Sequence, residues 1–202
     1  MTSSPSIHPG EVIHSMDHLV LDLATADGTT AYATIYSLGH MRDVGAGRVA
    51  LVRIPTTNGV LDRCFGETIG LAARMQRRLR AIRAEGGPAP EVGTSSRPIQ
   101  ATIRRLPTSE QGEHWVVEST DHTVSASWSS ADLPVWVSAP AGTFHPSRDY
   151  VATMISYRRA ELIVDGTMVE GAPYAHAGWE GRLGRPFSSC HVALAETAIE
   201  AV

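Results

Sequence analysis

The amino-acid sequence predicts a mainly β protein, an antiparallel β-barrel or sandwich that carries one amphipathic α-helix. Short apolar runs of alternating period follow one another along the chain and are separated by turn residues, which is typical of strands joined by hairpins. Only one segment has the period of a helix. A parallel α/β sheet would need a helix between each pair of strands, so an antiparallel sheet is the better interpretation.

The first three strands are predicted over residues 18–24, 30–37 and about 48–54. Apolar side chains alternate with other residues in each of these runs, as in a half-buried strand. Asp27 and Gly28 separate the first two runs. This dipeptide favours a tight hairpin turn because both positions tolerate a positive φ.

An amphipathic helix is predicted over about residues 62–84. Apolar residues recur there every three or four positions, while five arginines cover the rest of the surface. We expect four side chains of the apolar stripe to pack on the sheet: Ile69, Met75, Leu79 and Ile82. The Gly- and Pro-rich segment 85–98 has no pattern of its own and is expected to be a flexible loop.

After this loop the alternating pattern resumes and continues almost to the end of the chain. Strands are predicted over residues 99–106, 113–119, 122–128, 133–137, 150–157, 160–164 and 167–170. The last run, residues 190–202, is compatible with a strand or with a helix, because its alanines, Leu194 and Glu196 are good helix formers.

Length and composition limit the class of protein. A chain of 202 residues that is 43% hydrophobic can bury one core, so we expect residues 1–202 to form a single domain. The formal net charge of −4 argues against a nucleic-acid partner. All 17 basic residues are arginine, so no lysine amine can form a Schiff base or bind phosphate in an NTPase loop.

The chain shows no sign of export or of membrane insertion. The first ten residues have neither a basic region nor an apolar run, and no window of about eighteen apolar residues occurs. We therefore expect a cytoplasmic protein without a membrane partner. Cys64 and Cys190 lie far apart and outside any CxxC pattern, which indicates two reduced thiols.

The residues from 114 to 157 form the densest group of candidate functional side chains. Aromatic side chains beside small ones suit an apolar pocket, for which we expect Trp115, Trp128, Trp136 and Met154 as ligand-binding residues. The predicted catalytic or hydrogen-bonding residues are His122, His145, Asp149, Tyr150 and Tyr157. The alternative is that the tryptophans only fill a core.

His122 is the leading acid–base candidate of this group. If the strand pattern extends to it, His122 shares a face with Trp128, and a histidine transfers protons near neutral pH without a cofactor. His14 and His18 form an H-x-x-x-H pattern. On a strand, residues four apart lie about 13 Å apart, so we predict no metal site there. Cys190 and His191 point to opposite faces of a strand, which argues against a nucleophile–base pair.

Three short motifs resemble those of a known group of proteins. ADGT follows an early β run, VDG and VEG lie close together later, and W-E-x-x-L-G-R-P-x-S-S covers residues 179–189. These pieces resemble calycin-type, lipocalin-like β-barrels, including the carotenoid hydratase group. The resemblance implies a barrel around a hydrophobic, polyketide- or terpenoid-like molecule that reacts without a cofactor. That group generally has two barrel domains, for which this chain is too short, and no catalytic motif matches.

The resulting expectation is a cofactor-independent isomerase, cyclase or hydratase that acts on a hydrophobic small molecule in a barrel pocket. Two alternatives remain open at this point. One is a binding protein with the same pocket and no chemistry. The other is a protein-interaction module that uses a sheet edge or the arginine-covered helix, and a homodimer is also left open.

Overall fold

Strands make up most of the chain, as the sequence predicts. The computed structural model describes residues 10–56, 59–85, 89–108, 112–143 and 147–201. The first half contains the strands β1 (Gly10–Ala24), β2 (Thr30–Met41), β3 (Gly47–Thr56) and β4 (Gly59–Gly66), followed by α1 (Ile69–Ala84). The second half contains β5 (Ile99–Gln100), β6 (Thr102–Arg105), β7 (Glu113–Glu118), β8 (Thr123–Ala131), β9 (Val135–Ala139), β10 (Arg148–Val164), β11 (Thr167–Met168), β12 (Ala172–Pro173), α2 (Ala177–Leu183) and β13 (His191–Ala201).

Ten of the strands form a nearly closed, barrel-shaped sheet in the order β5-β4-β3-β2-β1-β13-β10-β8-β7-β6. Strand β10 joins its two halves, because its first part pairs with β13 and its second part pairs with β8. Arg48 of β3 bridges the gap between the two ends of the sheet. Its guanidinium donates to the carbonyl of Ile103 at 3.0 Å and lies 5.8 Å from the ring centre of Trp115.

The interior of the barrel is filled with apolar side chains. Alternate residues of the strands point inward, and nine strands contribute to one buried cluster that includes Leu21, Ile35, Val52, Phe65, Ile103, Trp115, Trp128, Leu162 and Val192. The indole of Trp128 donates to the carbonyl of Val20 at 2.9 Å. Two surface depressions of the described part, of about 320 and 240 Å³, lie elsewhere, and neither is lined by a tryptophan.

Helix α1 packs on the outside of the sheet and begins later than the sequence predicts. Residues 59–66 form β4, which pairs with β3 along its whole length. Leu61 and Phe65 are four residues apart, a spacing that fits one face of a strand as well as one face of a helix. The hydroxyl of Thr68 then caps α1 by accepting from the amide of Leu71. Ile69 lies at the first turn and is 52% exposed, not packed as expected.

The arginines of α1 bind neighbouring segments of the chain. Arg74 donates to the carbonyl of Val44 at 2.7 Å, Arg80 donates to the carbonyl of Thr94, and Arg83 donates to the carbonyl of Pro90 at 3.2 Å. The described part of the segment expected to be a flexible loop, residues 89–98, is therefore held against the helix. Residues 86–88 lie outside the described residues.

The end of the chain is a strand rather than a helix. Strand β13 pairs with β1 on one side and with β10 on the other, so its backbone groups are bonded on both sides. The short helix α2 lies in a segment whose pattern did not predict it. Within the described ranges, neither helix is long and apolar enough to span a membrane.

Replacement of Leu79 by alanine tests the packing of α1 on the sheet. Leu79 is 4% exposed and belongs to the cluster between α1 and the outer face of β2, β3 and β4. Loss of a buried leucine leaves a cavity, and we expect the free energy of unfolding in urea to fall by about 2–5 kcal/mol. The matched control is Ile69→Ala on the exposed side, which should change it by less than about 0.5 kcal/mol. Equal losses in the two variants would contradict the packing.

Candidate functional site

The tryptophans of the expected pocket do not share one concavity. Trp115 and Trp128 are 4% and 1% exposed and lie inside the filled barrel. Trp136 of β9 is 64% exposed and pairs with Thr153. Met154 is buried on the outer side of the sheet, in a separate apolar cluster. The geometry of the described residues thus favours the alternative, in which Trp115 and Trp128 fill a core.

His122 points to a turn and away from Trp128. Strand β8 begins at Thr123, so its alternation does not extend to His122. The Nδ1 of His122 lies 3.0 Å from the carboxylate of Asp165, and the amide of Thr123 donates to the same carboxylate at 2.8 Å. The hydrogen bonds from His122 and Thr123 lower the pKa of Asp165. His122 and Asp165 therefore form a surface pair at the ends of two strands.

The other expected catalytic residues lie in separate places. Tyr157 belongs to the barrel interior, and burial raises the pKa of its hydroxyl to about 12. Asp149 accepts a hydrogen bond from the amide of Ala141 at 2.8 Å. His145 lies outside the described residues. Tyr150 is the member of the expected group that meets further titratable side chains, on the outer side of the sheet.

A polar strip runs across the outer side of four adjacent strands, between the parts of the sheet covered by α1 and α2. We call it the histidine–tyrosine face. It arises because alternate residues of each strand fill the barrel and the residues between them point outward. Its members are His14, His18 and Asp22 of β1, Tyr32, Thr34 and Tyr36 of β2, His191 and Glu196 of β13, and Tyr150 of β10.

Glu196 is the centre of this face. The residue is 7% exposed, and its two carboxylate oxygens face two different imidazoles. The Nε2 of His14 lies 3.2 Å from Oε1, although without the angle of a well-aligned hydrogen bond, and the Nδ1 of His18 lies 3.4 Å from Oε2. Tyr150 also hydrogen-bonds to Glu196. One buried carboxylate thus joins two histidines and a tyrosine.

The two histidines keep Glu196 ionised in its buried position. Burial by itself raises the pKa of a carboxyl group, because the charged form loses its hydration. His14 and His18 outweigh this effect and bring the pKa of Glu196 well below its ordinary value. The carboxylate is therefore negative throughout the physiological pH range.

His18 contacts three neighbours in this face, Thr34, Glu196 and Tyr36. The hydroxyl of Thr34 donates to the carbonyl of Leu19 at 2.9 Å, so its oxygen accepts from the Nε2 of His18 at 3.0 Å. The Nδ1 faces the carboxylate of Glu196, which only accepts. His18 also stacks on Tyr36 with ring centres 4.4 Å apart. Thr34 and Tyr36 thus hold the His18 ring with its Nδ1 toward Glu196.

His14 differs from His18 because one of its nitrogens is left over. Its Nε2 faces Glu196, whereas none of the described residues makes a hydrogen bond to its Nδ1. The side chain is 18% exposed. With a proton on Nε2, the ring would present the lone pair of Nδ1 at the edge of the face, beside a carboxylate that can stabilise a positive charge on the ring.

His191 lies next to this group and under α2. It is 5% exposed, and its ring centre lies 5.3 Å from Phe187 and 6.1 Å from both Trp179 and His176. Burial lowers the pKa of His191 to about 3, and His18 and His176 add to this effect. The imidazole is therefore neutral at physiological pH.

The thiol beside His191 is separated from it by the sheet. Cys190 points into the barrel, where burial raises the pKa of its thiol to about 12, while His191 points outward. The two side chains therefore lie on opposite faces of the sheet. Among the described residues, no three of His, Cys, Asp and Glu are arranged to hold a metal ion.

The sequence contained part of the signal for this face. The H-x-x-x-H pattern indicates His14 and His18 as candidate residues, but on a regular strand the two side chains would lie too far apart to share a site. The pairing of β1 with β13 is irregular between Val12 and His14 and between Met16 and His18, and such bulges reorient side chains. Glu196 was missed, because its run was equally compatible with a helix.

Comparisons with known proteins give one structural likeness. None of the family models matches the sequence, and no curated protein matches it. A solved acetoacetate decarboxylase from Legionella pneumophila resembles the structure with a TM-score of 0.44 and 8% sequence identity, over 98% of this chain and 91% of that chain. At this level the likeness says nothing about chemistry. The resemblance to calycin-type barrels stays a prediction.

The neutral state of His191 predicts a dependence of stability on pH. Between pH 6.5 and 3 an exposed histidine of the unfolded chain binds a proton and His191 does not, so acidification favours unfolding. At pH 5 this lowers the free energy of unfolding by about 2 kcal/mol relative to neutral pH. His191→Phe should remove that loss in urea unfolding measured at pH 7 and pH 5.

The range between pH 7 and pH 5 excludes most of the contribution of Glu196 to the pH dependence of stability. The pKa of Glu196 is lower in the folded protein than its value of about 4.5 in the unfolded chain, so ionised Glu196 stabilises the fold above that pH. This stabilisation is lost only as the pH falls below that value. His122→Asn serves as the matched control, since His122 is partly exposed at a turn and should leave the loss at pH 5 in place. If the free energy of unfolding decreases equally from pH 7 to pH 5 in His191→Phe and in the unmodified protein, His191 does not cause the decrease.

Proposed function

We propose that this protein is an enzyme that moves a proton to or from carbon on a small, largely apolar molecule, and that its side chains do so without a cofactor. The observation that carries the proposal is the Glu196–His14 pair. A buried carboxylate that stays ionised lies 3.2 Å from the Nε2 of the partly exposed His14, and the Nδ1 of this ring has no hydrogen-bond partner among the described residues. General bases of this kind commonly accelerate proton transfer by about 10²–10⁴-fold.

Each partner of Glu196 has a separate role in this proposal. His14 takes the proton at Nδ1, and the charge on the resulting imidazolium is stabilised by the carboxylate at 3.2 Å. His18, held between Tyr36 and Thr34, keeps the second carboxylate oxygen occupied. Tyr150 fixes Glu196 from β10. The carboxylate therefore cannot turn away from His14 when the proton arrives.

The surroundings favour an apolar substrate. The face lies between two buried apolar clusters, one with Met16, Tyr36 and Leu38 and the other with Met154, with Tyr150 packed against it. Neither surface depression contains a residue of this face. The substrate would approach the exposed edges of His14 and His18, which are 18% and 23% exposed.

The reaction classes expected from the sequence share this proton transfer. An isomerase removes a proton from one carbon and returns it to another, and a hydratase or cyclase protonates or deprotonates carbon beside a double bond. Activation of a ketone as an imine with a lysine side chain is not available, because the chain contains no lysine. The base must therefore act on the carbonyl compound itself, with the electron pair going to the carbonyl oxygen.

The experiment follows deuterium exchange at carbon by proton NMR in D₂O. The probes are small cyclic ketones, among them cyclohexanone and 2-cyclohexenone, whose α protons exchange through the enolate. The unmodified protein should accelerate exchange for at least one probe. Glu196→Gln removes the charge with little change of shape, and His14→Asn removes the base, so each should lower the rate by about 100-fold or more.

The His122–Asp165 pair, which lies outside the face, supplies the matched control. Asp165→Asn disrupts the pair with His122 at 3.0 Å, far from the face in the fold, and should leave the exchange rate unchanged. Circular dichroism of each variant reports whether it is folded. No exchange by the unmodified protein with any probe would contradict the proposal and favour the non-catalytic binding protein. An equal loss in Asp165→Asn would show that the effect does not come from the face.

A further inference from the structure

His191 is a buried polar side chain that the fold leaves incomplete. Its Nδ1 is shielded from solvent and has no hydrogen-bond partner among the described residues. A buried nitrogen without a partner costs free energy, so such groups are uncommon in native structures. The aromatic rings of Trp179, Phe187 and His176 surround it. His191 is thus surrounded largely by aromatic rings, and the backbone of Ser188 and Ser189 also interacts with its imidazole.

The segment that covers His191 is built as a separate piece. Residues 172–189 leave the barrel and return to it, with Ala175 bridged to Ser188 and the amide of Tyr174 donating to the hydroxyl of Ser189. Helix α2, within this segment, buries none of its residues. The hydroxyl of Tyr174 donates to Asp22 at 2.7 Å on the sheet. Movement of α2 away from His191 would separate Trp179 and Leu183 from the apolar cluster that contains Phe187, and it would break the hydrogen bond from the amide of Phe187 to Glu180.

We infer that the layer of side chains between His191 and α2 opens to form a ligand site that binds a neutral phenol-type ring, with the phenolic hydroxyl on the Nδ1 of His191. A hydroxyl can both donate and accept, so it matches either tautomer of the neutral imidazole. An aromatic ring suits the walls formed by Trp179 and Phe187. A charged group would have to lose its hydration beside an uncharged ring, which is unfavourable.

This site adjoins the histidine–tyrosine face. Val20 of β1 pairs with His191, and His18 of the same strand pairs with Ala193, so the two histidines lie on neighbouring positions of adjacent strands. A ring held at His191 would extend along β13 toward His18 and Glu196. The inference deepens the proposed function, on which it rests, by assigning His191 to substrate binding and a hydroxylated aromatic ring to the substrate.

The ring distances determine how a ligand enters. Trp179, Phe187 and His191 lie 5.3–6.1 Å apart between ring centres, which is already contact distance. A further ring fits only when α2 and Trp179 move outward. The site is therefore closed in the absence of ligand and is not expected to appear as a depression on the surface.

The test is a titration of the full chain with phenol, followed by isothermal calorimetry and by nitrogen NMR of the histidine rings. We expect binding of phenol and a shift of the Nδ1 resonance of His191. Toluene, which has the ring without the hydroxyl, should bind at least tenfold more weakly. His191→Phe keeps the aromatic packing, removes the nitrogen, and should weaken phenol binding by at least tenfold.

Two controls keep the test decisive. His122→Phe removes a histidine far from the site and should bind phenol as the unmodified protein does, and His191→Asn provides a second variant if His191→Phe fails to fold. Undiminished phenol binding by the folded His191 variants, or no phenol binding at all, would overturn the inference. Deuterium exchange of ketones by a protein that binds no phenol would refute this site and leave the proposed function standing. Phenol binding by a protein that shows no exchange activity in any assay would support this site and contradict the proposed function.

Discussion

The hydrogen bond from the indole of Trp128 to the carbonyl of Val20 crosses the inside of the barrel and joins β8 to β1, two strands that are not neighbours in the sheet. Around this bond the large side chains of nine strands meet, and Trp115 is held by its own bond to Glu113 at 3.1 Å. Because the interior is occupied in this way, polar chemistry has to lie on the outside of the sheet.

Polar groups on the outside of a sheet are usually exposed, yet Glu196 is not. The side chains of His14, His18 and Tyr150 contact its carboxylate. A negative charge in that position is tolerated only with partners that carry or share a proton. His14, His18 and Tyr150 supply them from two strands, which makes the order of β1, β13 and β10 a condition for the site.

The sequence predicted the fold class and most strands, because alternation of apolar residues is a local property. It predicted the site less well, for two physical reasons. The bulges of β1 that direct His14 and His18 toward one carboxylate depend on pairing with β13, nearly the whole chain away. The choice between helix and strand for the last residues is also decided by that pairing. The exposed position of Trp136 likewise reflects where β9 joins β10, which no local pattern specifies.

The position of β13 has a consequence for how the protein is made. The last strand lies between β1 and β10, so the first and last segments of the chain are direct neighbours. On a ribosome, β1 emerges well before β13 and lacks one of its two partners until β13 has been released. Contacts between such distant segments form slowly and leave a strand edge open in the meantime. The sheet around β1 is therefore completed only when β13 pairs with it, and the same strand brings Glu196 to its partners.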